Sequence, residues 1–68
     1  MKIRTAFVTG TVHNLKESKE TVELLRKHSF LVRSYLGNDT FEPEIKYDTR
    51  IYRGLRGAQM LIEEVKKD

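Results

Sequence analysis

The sequence predicts an α/β (α+β) two-layer sandwich of β-α-β-β-α order, in which a three-stranded mixed sheet carries two helices on one face. Three observations support this fold class. Residues 2–9 alternate in polarity as a strand does. Segments 14–28 and 48–67 repeat apolar residues at helical spacing. Segments 30–36 and 40–47 are typical of two further strands joined by a turn. Helices that cover one face of such a sheet give two packed layers.

The length of 68 residues allows one small globular domain, spanning residues 1–68. A chain this short buries only about 60% of the surface of its unfolded form, so its stability is marginal. The absence of cysteine excludes disulfides as a support. The remaining sources of stability are tight packing of the helices on the sheet and self-association as a homodimer.

Composition and charge define the class of protein. Charged residues make up 34% of the chain and apolar residues 38%, which is typical of a globular protein and not of a disordered one. The net charge of +3 favours nucleic acid or acidic partners. Because no signal peptide and no segment of membrane-spanning length is visible, we expect a cytoplasmic protein without a membrane partner. The start at Met1 is typical of a complete small protein.

The first strand, residues 2–9, has two faces of different polarity. One face comprises Ile3, Thr5, Phe7 and Thr9, and the other comprises Lys2, Arg4, Ala6 and Val8. We expect the second face to be buried mainly at Ala6 and Val8, because the apolar residues of that face come at the end of the strand.

The first helix begins at a strong sequence signal. Asn14 is a favourable N-cap residue, and Glu17 stands three positions later to complete a capping box. We expect the helix to run to about His28. Its buried side is predicted to comprise Leu15, Val22 and Leu25, with Ser18 between them and Leu24 half exposed.

The second and third strands are predicted over residues 30–36 and 40–47, with a turn at residues 37–39. Pro43 cannot donate a hydrogen bond to a neighbouring strand and therefore places the third strand at an edge of the sheet. The first two strands should be parallel with a right-handed connection, and the second and third should form an antiparallel hairpin.

The second helix is predicted to begin at Asp48 or Thr49. Its apolar stripe is about five turns long and comprises Ile51, Leu55, Ala58, Ile62 and Val65. An alternative ends the third strand at Ile45, makes residues 50–53 extended and starts the helix near Gly54. This alternative has a physical basis, because each glycine inside a helix costs roughly 1 kcal/mol relative to alanine.

Three small residues, Gly54, Gly57 and Ala58, occur close together in this last segment. Small residues three and four positions apart let a helix approach another surface closely. The surface could belong to this protein's own sheet or first helix, or to a second copy of the chain. A bend or a late start of the helix is the third interpretation.

The main candidate binding residues are three arginines, Arg50, Arg53 and Arg56, which recur at every third position and would form one row on a helix. Arginine binds phosphate through two parallel hydrogen bonds. Tyr47 and Tyr52 lie near enough in sequence to stack on bases. The row could contact nucleic acid or phosphate, contact a protein, or be neutralised by acids close by in the sequence. Those acids are Asp39, Glu42, Glu44 and Asp48.

A candidate anion loop, Thr9-Gly10-Thr11, lies at the end of the first strand, where α/β folds bind phosphate. The segment 7–11 resembles the first strand of BRCT domains, in which a Thr-Gly end can hold a phosphate. The resemblance covers five residues, and no further motif assigns the chain to that family. A simple strand-ending turn is the alternative interpretation.

The sequence contains no grouping typical of catalysis or of metal binding. His13 and His28 would lie near opposite ends of the first helix, and no thiol accompanies them. No Ser–His–carboxylate spacing is present. We therefore predict no enzymatic activity, no metal site and no cofactor.

The most favoured function is that of a small non-enzymatic regulator or inhibitor that acts by binding another protein. Small proteins of this kind are frequent in phage and mobile-element genomes. The alternative is a nucleic-acid-binding module that uses the arginine row on the second helix. A nucleotide or phosphate ligand at Thr9-Gly10-Thr11 is a third hypothesis.

Overall fold

A computed structural model describes residues 3–66 of the chain. Its strands and helices are β1 (Arg4–Thr11), α1 (Leu15–Lys27), β2 (Phe30–Asn38), β3 (Glu44–Tyr47), β4 (Arg50–Arg53) and α2 (Gly54–Lys66), with a 3-10 turn at Val12–Asn14. The strand position predicted for Lys2 and the helical positions predicted beyond residue 66 lie outside the described residues. Neither helix within residues 3–66 has the length and the apolar character needed to cross a membrane.

The four strands form one mixed sheet in the order β2-β1-β3-β4. β1 is parallel to β2 and antiparallel to β3, which in turn is antiparallel to β4. Both helices contact the sheet and each other. The predicted mixed sheet with two helices is therefore confirmed, but the sheet has four strands and not three. The predicted hairpin of the second and third strands is wrong, because β1 lies between them.

The core lies between the helices and one face of the sheet. In β1, Ala6 and Val8 are fully buried, as predicted. Val32 pairs in register with Ala6, and Ile45 pairs with Val8. Tyr52 pairs with Ile45, so all three residues lie on the same face as Ala6 and Val8. The helices cover this face with Val22, Leu25, Ala58, Leu61, Ile62 and Val65.

Helix α1 begins at the predicted cap. The side-chain oxygen of Asn14 accepts the backbone N–H of Glu17 at 3.2 Å, and its amide nitrogen donates to the Glu17 carboxylate at 3.1 Å. Val22, Leu25 and Ser18 are buried as predicted, but Leu15 is exposed. Leu15 stands in the first turn of α1 and borders an open groove beside β2, so the core begins one turn later.

Residues 40–43 are not part of the third strand, which starts at Glu44. The Asn38 side chain organises them into a turn, because it donates to the carbonyl of Glu42 at 3.0 Å and accepts the N–H of Thr40 at 3.0 Å. Phe41 is therefore 70% exposed. The placement of the third strand at an edge is also wrong, since β3 lies between β1 and β4.

The predicted start of the second helix at Asp48 or Thr49 is wrong, and the late start near Gly54 is correct. Asp48 and Thr49 form a two-residue turn between β3 and β4, with Asp48 in the left-handed region at φ 58°. Gly54 also has a positive φ of 67°. This conformation favours glycine, and it turns the chain from β4 into α2.

Two contacts fix the start of α2. The N–H of Gly54 donates to the carbonyl of Pro43 at 2.8 Å, and the N–H of Leu55 donates to the Glu17 carboxylate at 3.1 Å. Gly57 then lies against β4, where an added Cβ would stand 2.9 Å from Cβ of Tyr52. Gly57 thus serves close packing on the protein's own sheet, while Gly54 marks the late helix start.

The left-handed backbone of Gly54 predicts a large loss of stability on substitution. Gly54→Ala should lower the free energy of unfolding by about 1–2 kcal/mol from backbone strain alone. Displacement of the Glu17 carboxylate, which lies 2.6 Å from the position of the new Cβ, should add to the loss. Urea unfolding measures this change. Gly37→Ala is the matched control, because its Cβ meets nothing within 4 Å. Equal losses in the two variants would contradict the role assigned to Gly54.

Candidate binding surface

The sheet has one face that neither helix covers, and we call it the open face. Side chains alternate between the two faces of a strand, so the residues between the buried ones point to this side. The open face comprises Thr5, Phe7, Thr9, Leu31, Arg33, Tyr35, Glu44, Lys46, Ile51 and Arg53. These residues come from all four strands and form a continuous surface.

The register aligns the open face in rows. Arg33, Phe7, Lys46 and Ile51 lie side by side across the four strands. Tyr35, Thr9, Glu44 and Arg53 form the next row. Each row therefore combines an aromatic ring with at least one cation.

The aromatic rings of the open face are accessible to solvent. Phe7 is 41% exposed although it lies on an interior strand, and Tyr35 is 52% exposed. Leu31 and Ile51 add exposed aliphatic surface at the two sides of the sheet. These apolar side chains alternate with the cations Arg33 and Lys46 across the open face.

The open face is positively charged. It carries three cations, Arg33, Lys46 and Arg53, and one acid, Glu44. Within the part of the chain that the structure describes, none of these three cations has a carboxylate within 4.0 Å. Arg53 and Glu44 are opposite each other in register without forming an ion pair.

The predicted arginine row does not form. Arg50 and Arg53 lie in β4, on opposite faces of the sheet, and Arg56 lies in α2. The helical spacing fails because the helix begins only at Gly54. Arg50 is neutralised, but by Glu64 of α2, with an N–O distance of 2.7 Å, and not by the acids at positions 39–48.

Three of the predicted site residues, Tyr47, Arg50 and Tyr52, come together around a pocket of about 400 Å³ on the helix side. Tyr52 donates its hydroxyl hydrogen to Glu64, which also binds Arg50. Burial raises the pKa of Tyr52, and the Glu64 hydrogen bond raises it further. Hydrogen bonds to Tyr52 and Glu64 raise the pKa of Arg50. Arg50, Tyr52 and Glu64 thus bind one another at this pocket.

The predicted anion loop has its polar groups in use. The N–H of Thr11 donates to the Ser18 hydroxyl at 3.0 Å, and the Thr11 hydroxyl accepts the N–H of His13 at 3.1 Å. Gly10 is buried, and an added Cβ would stand 3.0 Å from Cβ of Ser18. The segment Thr9-Gly10-Thr11 therefore joins β1 closely to α1, and this geometry gives no support to an anion site there.

The two histidines lie apart from each other. The ring of His13 contacts Phe41, with centroids 5.3 Å apart, and Nδ1 of His28 lies 3.1 Å from the carbonyl of Leu24. Among residues 3–66, no group of three His, Asp or Glu side chains is placed to hold a metal ion.

Several residues of the open face did not appear among the predicted site residues, namely Phe7, Tyr35, Lys46 and Ile51. The signal for Phe7 was present, because the alternation of β1 placed it opposite to the buried Ala6 and Val8. The signal for Ile51 was misleading, since its spacing from Leu55 fits a helix.

No family model, no curated protein and no solved structure matches this chain at a significant level. The interpretation of the open face therefore depends on its own chemistry.

The raised pKa of Tyr52 predicts a stability change at alkaline pH. The folded protein holds the phenolic proton more tightly than the unfolded chain, whose tyrosine has its ordinary pKa of 10.0. This stabilisation is complete below about pH 10 and is lost as the pH rises through the folded-state pKa. We expect the free energy of unfolding to fall above about pH 10, and Tyr52→Phe to reduce that fall.

Urea unfolding between about pH 7 and pH 11 tests this expectation. Tyr52→Phe should also lower the stability at neutral pH by about 1 kcal/mol, because it removes one hydrogen bond. Tyr35→Phe is the control, since it retains the bond of Tyr52 to Glu64. Identical pH profiles for the wild type and Tyr52→Phe would rule out this role of Tyr52.

Proposed function

We propose that this protein acts by binding, without catalysis, and that the open face binds single-stranded nucleic acid. The observation that carries the proposal is the position of Phe7, which is exposed on an interior strand between Arg33 and Lys46. Aromatic rings bind unpaired bases by stacking, and flanking cations bind the phosphates of the same strand.

The spacing of the two rings fits neighbouring nucleotides. Tyr35 lies one strand away from Phe7 and two residues further along, because it is opposite Thr9 in register. Strand geometry places the two positions roughly 8 Å apart. Two successive unstacked bases can therefore stack, one on each ring.

The sign of the charge favours an anionic partner. The open face has three cations and one acid, whereas the chain as a whole is nearly balanced, with 13 Lys and Arg against 10 Asp and Glu. Two of the arginines predicted as binding residues have different roles in this proposal. Arg53 belongs to the open face, and Arg50 is bound to Glu64 on the other side of the sheet.

Protein binding is the second candidate function, as expected of a small regulator or inhibitor. The observation that favours it is the outer side of β2, which pairs with β1 on one side only. A free strand edge offers backbone donors and acceptors to a strand of another chain. The exposed Leu36 near the end of β2 adds apolar area at this edge.

Stacking on Phe7 predicts a specific loss of affinity. Phe7→Ala should weaken the binding of a fluorescently labelled single strand of about 10 nucleotides by about 5- to 150-fold, measured by anisotropy at about 50 mM salt. Phe41→Ala is the matched control, because Phe41 is more exposed but lies off the open face. If the wild type does not bind, or if the two variants lose affinity equally, the proposal fails.

Arg53 and Arg56 are the two arginines of the predicted row that do not pair with Glu64, and they give an independent test. Arg53→Ala should lower the affinity and flatten its salt dependence, whereas Arg56→Ala should do neither, because Arg56 lies in α2. If all three cations of the open face bind phosphates, log affinity against log salt should have a slope of about −2 in the wild type. An equal effect of both variants would indicate general charge attraction and would contradict a site on the open face.

The second candidate predicts a partner held at β2. A protein that purifies with the chain from a nuclease-treated lysate should be lost with Leu36→Lys and retained with Ile51→Lys. Both substitutions add a lysine at a similarly exposed position, but they lie on opposite edge strands. Retention by both variants would contradict docking at β2.

A further inference from the structure

The edge formed by β2 is long and weakly protected. β2 has nine residues, Phe30–Asn38, whereas the other edge strand, β4, has four. Natural edge strands are usually short, or they carry lysine, proline or a bulge that discourages pairing. β2 contains neither lysine nor proline, and its one charged residue is Arg33. Its irregularity in register falls only at its end, opposite Gly10 and Thr11.

An apolar groove runs beside this edge, between β2 and α1. Its volume is about 310 Å³, and its apolar lining includes Leu15, Val22 and Leu36. Leu15 is 57% exposed and Leu36 is 64% exposed. The edge and the groove together form one surface with unpaired backbone groups and uncovered leucines.

The charges along the groove are of both signs. Lys19, Glu23 and Arg26 of α1 line it together with the apolar residues. A surface that meets a copy of itself across a two-fold axis must be self-complementary. A groove that carries both signs of charge is compatible with this condition, because an acid of one copy can lie near a cation of the other.

We propose that a second copy of the chain pairs with β2 in antiparallel orientation, so that two four-stranded sheets form one sheet of eight strands. This inference rests on the protein-binding candidate only for the site at β2: the partner there is a second copy of the chain, and a different protein held at β2 in the lysate test would contradict it. A two-fold axis at Ser34 gives the most favourable register. Arg33 then lies opposite Tyr35 of the partner subunit, and Val32 lies opposite Leu36 of the partner subunit.

This register is selected by its side-chain pairs. Arg33 beside an aromatic ring forms a cation–π contact, and it occurs twice by symmetry. An axis at Arg33 would instead place two arginines directly opposite each other, which is unfavourable. The axis at Ser34 also gives the exposed Leu36 an apolar neighbour, whereas an axis at Tyr35 would place Leu36 opposite a serine. The dimer joins the two open faces on one side of the sheet, which doubles the surface for a single strand.

A single cysteine tests the register, because the chain contains no other. Ser34→Cys places two thiols on the axis with Cα atoms about 4.5–5.5 Å apart, which is within disulfide range. Mild oxidation should give a covalent dimer in high yield. Leu31→Cys is the control on the same strand. Its two copies would lie six residues apart in the paired strands, at about 20 Å, and should not cross-link.

The mass in solution tests the dimer itself. Sedimentation equilibrium of the wild type, without nucleic acid, should give twice the monomer mass of 8.0 kDa. Leu36→Lys should shift the mass toward the monomer, and Ile51→Lys should not. A wild-type monomer, equal cross-linking of the two cysteine variants, or a dimer unaffected by Leu36→Lys would each overturn the proposal.

The experiments distinguish a failure of the dimer proposal from a failure of nucleic-acid binding. A monomer that binds single strands through Phe7 would remove the dimer and leave nucleic-acid binding intact. A dimer that binds no nucleic acid would do the reverse.

Discussion

The left-handed backbone at Gly54 is the constraint on which the rest of the structure depends. It ends β4 and starts α2 within one residue, and its N–H is held by the carbonyl of Pro43 at 2.8 Å. The next N–H donates to Glu17, which itself stands in the first turn of α1. One carboxylate therefore lies at the N-termini of both helices, where the helix dipole favours negative charge. This contact fixes the position of α2 relative to α1 over the sheet.

The turn at Gly54 keeps the preceding segment extended, and this segment forms the fourth strand. As a result, its two arginines lie on opposite faces of the sheet. An extended segment at Arg50–Arg53 sends alternate side chains to opposite faces. Arg50 reaches Glu64 on the helix side, while Ile51 and Arg53 complete the open face. A helix over the same residues would have left the sheet with three strands and the open face without Ile51 and Arg53. The chemistry of the candidate surface thus follows from a single backbone conformation.

Local signals predicted much of the fold, and contacts distant in sequence decided the rest. The Asn14 cap and the burial of Ala6 and Val8 follow from neighbouring residues, and they were predicted correctly. The first interpretation of segment 50–53, as part of a helix, was wrong because its apolar spacing fits a helix, and the alternative of an extended segment was correct because it pairs with β3. The bond from Leu55 to Glu17 joins residues 38 positions apart, and no local pattern reports it.

The composition of the open face is consistent with the binding that we propose for it. Both helices lie on the same face of the four-stranded sheet, so within residues 3–66 no helix covers the other face. Polar residues such as threonine or lysine are suited to every position of a solvent-exposed face. Thr5 and Thr9 are such residues, and they lie on either side of Phe7 in β1. A phenylalanine between them, with cations on both neighbouring strands, adds exposed apolar area to a protein whose stability is marginal by size. Phe7 faces away from both helices and adds nothing to the core, and the binding that we propose for the open face gives a physical reason for its position.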